Sequence, residues 1–167
     1  MVSSITLKNL IIGYRSKHQL RAIASPVHAS LQAGELTCLI GANGVGKSTL
    51  LRTLAGFQPA LDGEILIQDK SLSDFSAQEL AREISIVLTS KTDHAQLSAE
   101  EIVGIGRSPY TGFWGTLSAA DKQIVASALQ KTGIQHLAQR NIRELSDGER
   151  QKVMIAKALA QQTRIII

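Results

Sequence analysis

The first stretch of the chain alternates apolar and polar positions, and the pattern shifts to helical spacing further along. Ile5 and Leu7 alternate with polar neighbours, which predicts a half-buried strand that Gly13-Tyr14 then breaks. A second extended stretch is expected over Ala22 to Leu31, followed by a turn at Ala33-Gly34-Glu35. Leu36-Thr37-Cys38-Leu39-Ile40 is short and almost wholly apolar, the pattern of a strand buried on both faces. A glycine-rich segment follows from Gly41 to Gly46. Lys47 to Ala55 then carries Leu50, Leu51 and Leu54 at helical spacing, with Gly56 as its stop.

Asp62-Gly63 reads as a turn and Glu64 to Gln68 as a strand. Four pairs have the form of a capping box, a serine with an acid three residues on: Ser76 with Glu79, Ser98 with Glu101, Ser118 with Asp121, and Ser146 with Glu149. Each opens a predicted helix. The third carries Ile124, Val125, Ala128 and Leu129 and ends at Gly133; the fourth carries Val153, Met154, Ala156, Ala158 and Leu159. Ile84 to Leu88 and Arg164 to Ile167 are β-branched runs, the second the opening of a buried strand. The alternation of strand and helix predicts an α/β fold with a mainly parallel sheet.

Composition narrows the class. The chain has 167 residues, 44% of them hydrophobic and 19% charged, enough apolar material for one packed domain. Its net charge of +4 suits a phosphate ligand, but no run of like charges marks a nucleic-acid arm. A single cysteine, Cys38, excludes an internal disulfide, and no apolar stretch approaches the ~20 residues that span a bilayer. The start of the chain has no basic, apolar signal segment, so a cytoplasmic location is expected.

Gly41-Ala42-Asn43-Gly44-Val45-Gly46-Lys47-Ser48-Thr49 matches the phosphate-binding pattern G-x-x-x-x-G-K-[ST], after a predicted strand and at the start of a predicted helix. Glycines let the main chain curl so that several N–H groups point inward. The helix N-terminus adds about half a positive charge. The reading assigns Lys47 to the β- and γ-phosphates, Ser48 to Mg²⁺ and Thr49 to the α-phosphate side of a bound nucleotide. Leu145-Ser146-Asp147-Gly148-Glu149 opens another helix just over a hundred residues later. A capping box alone accounts for it; a serine hydroxyl, a glycine N–H and a free helix end also suit a second anion.

The two motifs together resemble the ATP-binding-cassette (ABC) ATPases, whose signature is Leu-Ser-Gly-Gly-Gln; here Asp147 and Glu149 depart from it. The resemblance implies a P-loop NTPase fold of ABC type: a mainly parallel core, an N-terminal antiparallel β part and a helical subdomain. It implies nucleotide-binding residues to about 90, the helical subdomain over about 91–145, and the signature helix with the next strand over 146–167. It implies Mg²⁺ and ATP, held by the P-loop of one subunit and closed over by Ser146, Asp147, Gly148 and Glu149 of another. Tyr14 falls where the family stacks an aromatic on adenine, and Ser90 where a glutamine touches Mg²⁺.

Gly106-Arg107-Ser108-Pro109-Tyr110 and Phe113-Trp114-Gly115 resemble the helical subdomain of ATPases serving iron–siderophore, haem and cobalamin importers. That implies permease subunits as partners, a peripheral place on the inner membrane face, no nucleic-acid partner, and an aromatic surface beside Arg107 that docks the permease. The family's metal-orienting Asp, water-polarising Glu and switch His are expected beyond Ile167, so the sequence reads as the N-terminal part of a longer ATPase. The alternatives are a soluble ABC ATPase, an unrelated P-loop kinase or GTPase, and a nucleotide-binding fragment that does not hydrolyse.

Overall fold

A computed structural model describes residues 3–15, 19–24, 26–87 and 96–167 of the protein. It divides into two compact units, Met1–Leu80 and Ala81–Ile167.

In the first unit, period-two patterning produces strand β1 (Ser3–Ile11), which pairs antiparallel with β4 (Val27–Gln32) on one side and β5 (Asp62–Ile67) on the other. A two-residue strand, β6 (Lys70–Ser71), completes a sheet in the order β4-β1-β5-β6. Ile5, Leu7 and Leu10 of β1 meet Ile65 and Ile67 of β5 in its core. The register slips on both sides of β1 near Asn9, which adopts φ 49°. Such a bulge bends the strand. It closes against Gly63, where any Cβ would lie 2.3 Å from the Asn9 carbonyl oxygen. Strands β2 (Gly13–Arg15) and β3 (Leu20–Ala22) form a separate hairpin, where the sequence suggested only a break at Gly13-Tyr14. Helix α1 (Lys47–Leu54) follows the glycine-rich loop and stops before Gly56, at φ 73°.

One sequence expectation fails here. Leu36 to Ile40 is not a buried strand: Leu36 and Ile40 are 93% and 90% exposed, and no described strand pairs with the run. A strand buried on both faces needs ladder partners and covering layers; apolar composition alone does not supply them. The four-stranded sheet of the first unit is the antiparallel β part expected at the N-terminus. Among the described residues the parallel part is one pair, β7 (Ile84–Ser85) with β8 (Ile165–Ile166), in the second unit. The two β-branched runs therefore do find each other, and Thr163 Oγ1 adds a 2.9 Å hydrogen bond with Ser85 Oγ.

The second unit packs α3 (Ala99–Ile105), α4 (Ala119–Lys131) and α5 (Asp147–Ala160) around Ile102, Val103, Val125, Leu129, Val153 and Ala156. All three helices begin with the complete capping box read from the sequence, as does α2 (Ala77–Glu83) through Ser76 and Glu79. No helix among the described residues is long and apolar enough to cross a membrane.

Arg107, expected beside an exposed aromatic surface, is instead buried. Its Nε donates to Asp121 Oδ1 at 2.8 Å, and Nη1 donates to the Ala160 carbonyl at 2.9 Å and to Gln162 Oε1 at 3.1 Å. The fork geometry of a guanidinium suits this three-way cross-link. Hydrogen bonds from Ser118, and then the Arg107 guanidinium, lower the Asp121 carboxyl to about 2. Tyr110 lies under both Arg107 and Arg82, whose guanidinium carbons are 4.1 Å and 5.3 Å from the ring centre. Phe113 and Trp114 form an exposed aromatic pair, edge to face at 5.5 Å.

The crossing of α3 and α5 is set by Gly106, where a Cβ would lie 2.3 Å from the Lys157 carbonyl oxygen, while Gly112 has open space. Gly106→Ala is therefore expected to destabilise the protein by about 1–3 kcal/mol, and Gly112→Ala to stay within about 0.5 kcal/mol of the parent. Urea denaturation of the two variants checks both.

Candidate functional site

The loop from Gly41 to Gly46 turns into α1 through two positive-φ glycines, Gly44 at 83° and Gly46 at 105°. Gly46 is the residue before the helix, and a Cβ there would come 2.6 Å from Ile23 Cγ2. The loop thus sits directly on the hairpin. Unlike the other four described α-helices, α1 has no side-chain cap and no acidic residue in its first turn. Its first-turn amides and the positive end of its dipole are left for an anion.

A cavity of about 570 Å³ opens at this helix end, lined by Tyr14, Arg21, Ala22, Ile23, Asn43, Gly44, Gly46, Lys47, Ser48 and Thr49. Seven of these were singled out in the sequence. Gly41 and Ala42 do not line the cavity; their carbonyl oxygens accept hydrogen bonds from Lys47 Nζ at 2.7 Å and 2.9 Å. The ammonium is thereby held across the loop. Thr49 is buried, and its hydroxyl lies 3.2 Å from Tyr14 Oη, tying the aromatic ring to the first turn of α1. Ser48 is exposed to the cavity. Arg21, Ala22 and Ile23 escaped the sequence reading. Tyr14 pairs directly with Arg21 across the hairpin, but no Asn-Gly or Asp-Gly pair marks the turn.

The lining combines two cations, two hydroxyls, open main-chain amides and an aromatic ring, with no carboxylate. That set fits a polyphosphate joined to a flat base. Among the described residues no cluster of His, Cys, Asp or Glu forms a metal site. A hard cation here would take its oxygens from Ser48 and the phosphates. Ser90, the other predicted magnesium ligand, lies outside the described residues.

The second motif lies in the other unit. Ser146 precedes α5, and its hydroxyl donates to Glu149 Oε2 at 2.7 Å while accepting from the Glu149 amide at 3.3 Å. Glu149 Oε2 also accepts from the Ser146 amide at 2.8 Å. Asp147 forms an ion pair with Arg150, so its charge is balanced locally. Gly148 is free of neighbours within 4 Å of a built Cβ. The arrangement holds Ser146 rigidly at the helix start and leaves the adjacent glycine face open.

The sequence profile of the ABC transporter family matches residues 24–167. An uncharacterized ABC transporter ATP-binding protein of Haemophilus influenzae is 41% identical over 160 residues, covering 96% of this chain and 59% of that protein. The iron(3+)-hydroxamate import ATP-binding protein FhuC of Bacillus subtilis is 34% identical over 166 residues, covering 99% of this chain and 60% of that one. Among solved structures, a metal-chelate type ABC transporter in an inward-facing conformation matches with TM-score 0.80 and 27% identity, over 99% of this chain and 59% of that chain. The chain thus spans less than two thirds of the length of these proteins.

Hydrogen bonds from the Ser146 amide and hydroxyl hold the Glu149 carboxyl below its ordinary 4.5. A folded-state value below the unfolded one means that the cap stabilises α5 fully above that ordinary value and is lost as pH falls through the folded one. Amide exchange in the first turn of α5 is expected to accelerate, relative to the helix centre, as pH falls from 6 to 3. Glu149→Ala should produce the same relative acceleration at pH 6.

Proposed function

The chain belongs to the ABC transporter family as an ATP-binding domain, and from that premise we propose that it binds Mg-ATP at the α1 cavity and energises import of an iron chelate. The observation that carries the binding assignment is the bare start of α1: among the described α-helices it alone lacks both a side-chain cap and a first-turn acid, and it opens onto Lys47, Ser48 and Tyr14.

In this reading the first-turn amides of α1 and the curled main chain of Gly44 and Gly46 cradle the phosphates. Lys47 exchanges the Gly41 and Ala42 carbonyls for the β- and γ-phosphate oxygens, a short swing because the ammonium already spans the loop. Ser48 supplies a hydroxyl to magnesium, which when bound neutralises charge shared between the two terminal phosphates. Tyr14 provides a flat face for adenine, held in place through Thr49. These residues bind and orient; no catalytic base is assigned among them.

The signature turn supports a two-chain arrangement, in which Ser146 and Gly148 of one copy face the γ-phosphate held by another. Ser146 can offer its hydroxyl proton there only by releasing Glu149. The ion pair between Asp147 and Arg150 lowers the repulsion that a free carboxylate would impose on a triphosphate. A permease subunit as partner, at the cytoplasmic membrane face, and iron chelates as cargo are supported by likeness to FhuC and to the metal-chelate transporter.

Calorimetry with Mg-ATP tests the site. Lys47→Ala is expected to weaken binding at least ~10-fold, about 1.4 kcal/mol, with the fold intact by circular dichroism. Ser146→Ala should bind Mg-ATP as the parent does in the monomer but lose ATP-driven pairing in size-exclusion chromatography. Folded parent protein with no Mg-ATP affinity would overturn the assignment.

A further inference from the structure

The cavity contains a second cation for which the reading above has no role. Arg21 sits on β3 directly opposite Tyr14 on β2. Cross-strand partners project to the same face of a hairpin with their Cβ atoms about 5 Å apart. Both line the cavity with Lys47 and Ser48. Arg21 is exposed, and among the described residues no carboxylate or carbonyl takes its guanidinium. Every other cation discussed above is engaged: Lys47 by carbonyls, Arg107 by Asp121, Arg150 by Asp147 and Arg82 by the Pro109 carbonyl. Arg21 is the cation kept free at an opening that has no acid in its lining.

We infer that Arg21 is a nucleotide-binding residue that contacts the phosphate nearest the nucleoside. The inference rests on the assignment of the cavity to Mg-ATP and extends it. The geometry orders the contacts along the wall. Tyr14 is tied by its hydroxyl to Thr49, in the first turn of α1. Lys47 and Ser48 occupy the loop side of that turn. Arg21 stands beside Tyr14 on the hairpin, which places it with the nucleoside of a ligand whose base lies on Tyr14 and whose terminal phosphates reach Lys47. A planar guanidinium with five donors can bridge an α-phosphate oxygen and a ribose hydroxyl while its face lies along the tyrosine ring. Gly13 fixes the hairpin that presents it, because a Cβ there would lie 2.1 Å from the Arg21 carbonyl oxygen.

Calorimetric titration of Mg-ATP and Mg-ADP into the parent, Arg21→Ala, Arg21→Lys and Lys47→Ala tests this at two salt concentrations. Arg21→Ala is expected to weaken both nucleotides by the same factor, about tenfold for the loss of one charge-assisted contact. Lys47→Ala should penalise ATP more than ADP. Arg21→Lys should recover part of the loss, and Arg21→Ala should flatten the salt dependence of the dissociation constant. Affinity of Arg21→Ala within twofold of the parent would overturn the inference. So would a loss that is independent of salt and shared by Arg21→Lys, which marks a packing effect in the hairpin. A parent that is folded but binds neither nucleotide would instead remove the assignment of the cavity itself, a result distinct from either.

Discussion

A helix must do something with the amides of its first turn, and in this protein that requirement separates one helix from the rest. The starts of α2, α3, α4 and α5 are each closed by a serine hydroxyl and a carboxylate three residues on. The start of α1 is closed by neither. Placing Asp or Glu in that turn would have satisfied the amides and cancelled the dipole's positive end. The sequence places Lys47, Ser48 and Thr49 there instead. The rest of the first unit supports this opening. The β2–β3 hairpin brings Tyr14 and Ile23 against it, and Gly46 permits the approach because it carries no Cβ.

The second unit follows the opposite logic, in which polar groups at helix ends are paired within the chain. Arg107 joins the start of α4, through Asp121, to the end of α5, through Ala160 and Gln162. A buried arginine of this kind does little for net stability, because desolvation offsets most of the attraction. It does fix how the helices meet. Gly106 next to it sets the approach of α3 to α5. The α5 start, which carries the signature residues, is therefore presented on a frame whose other end is cross-linked. The hydroxyl of its own serine is committed to Glu149 by two hydrogen bonds.

Much of this was legible in the sequence where the signal was local. The four capping boxes, the helix after Gly46 and the stops at Gly56 and Gly133 follow from residue types within a few positions, and each appears as expected. The glycine-rich motif from Gly41 to Thr49 was readable because its residue types and spacing are a local pattern. What was not legible depends on distant partners. Leu36 to Ile40 has the composition of an inner strand, but composition does not specify a neighbour. Arg107 looked like a surface cation beside aromatics because its partner, Asp121, lies 14 residues away at the start of another helix. Arg21 was missed for the same reason, since only the hairpin pairing puts it beside Tyr14.

The exposed run before the loop also has a practical consequence. It carries Cys38, the one cysteine in the sequence, and the thiol is open to solvent. Two residues, Leu39 and Ile40, separate that cysteine from Gly41. A maleimide dye would therefore mark a single place in the unmodified chain, close to where the cradle begins, without any engineered attachment point. Fluorescence from such a label would follow the loop directly, and the uncovered leucine and isoleucine side chains around it make the same stretch the place to watch for self-association during concentration.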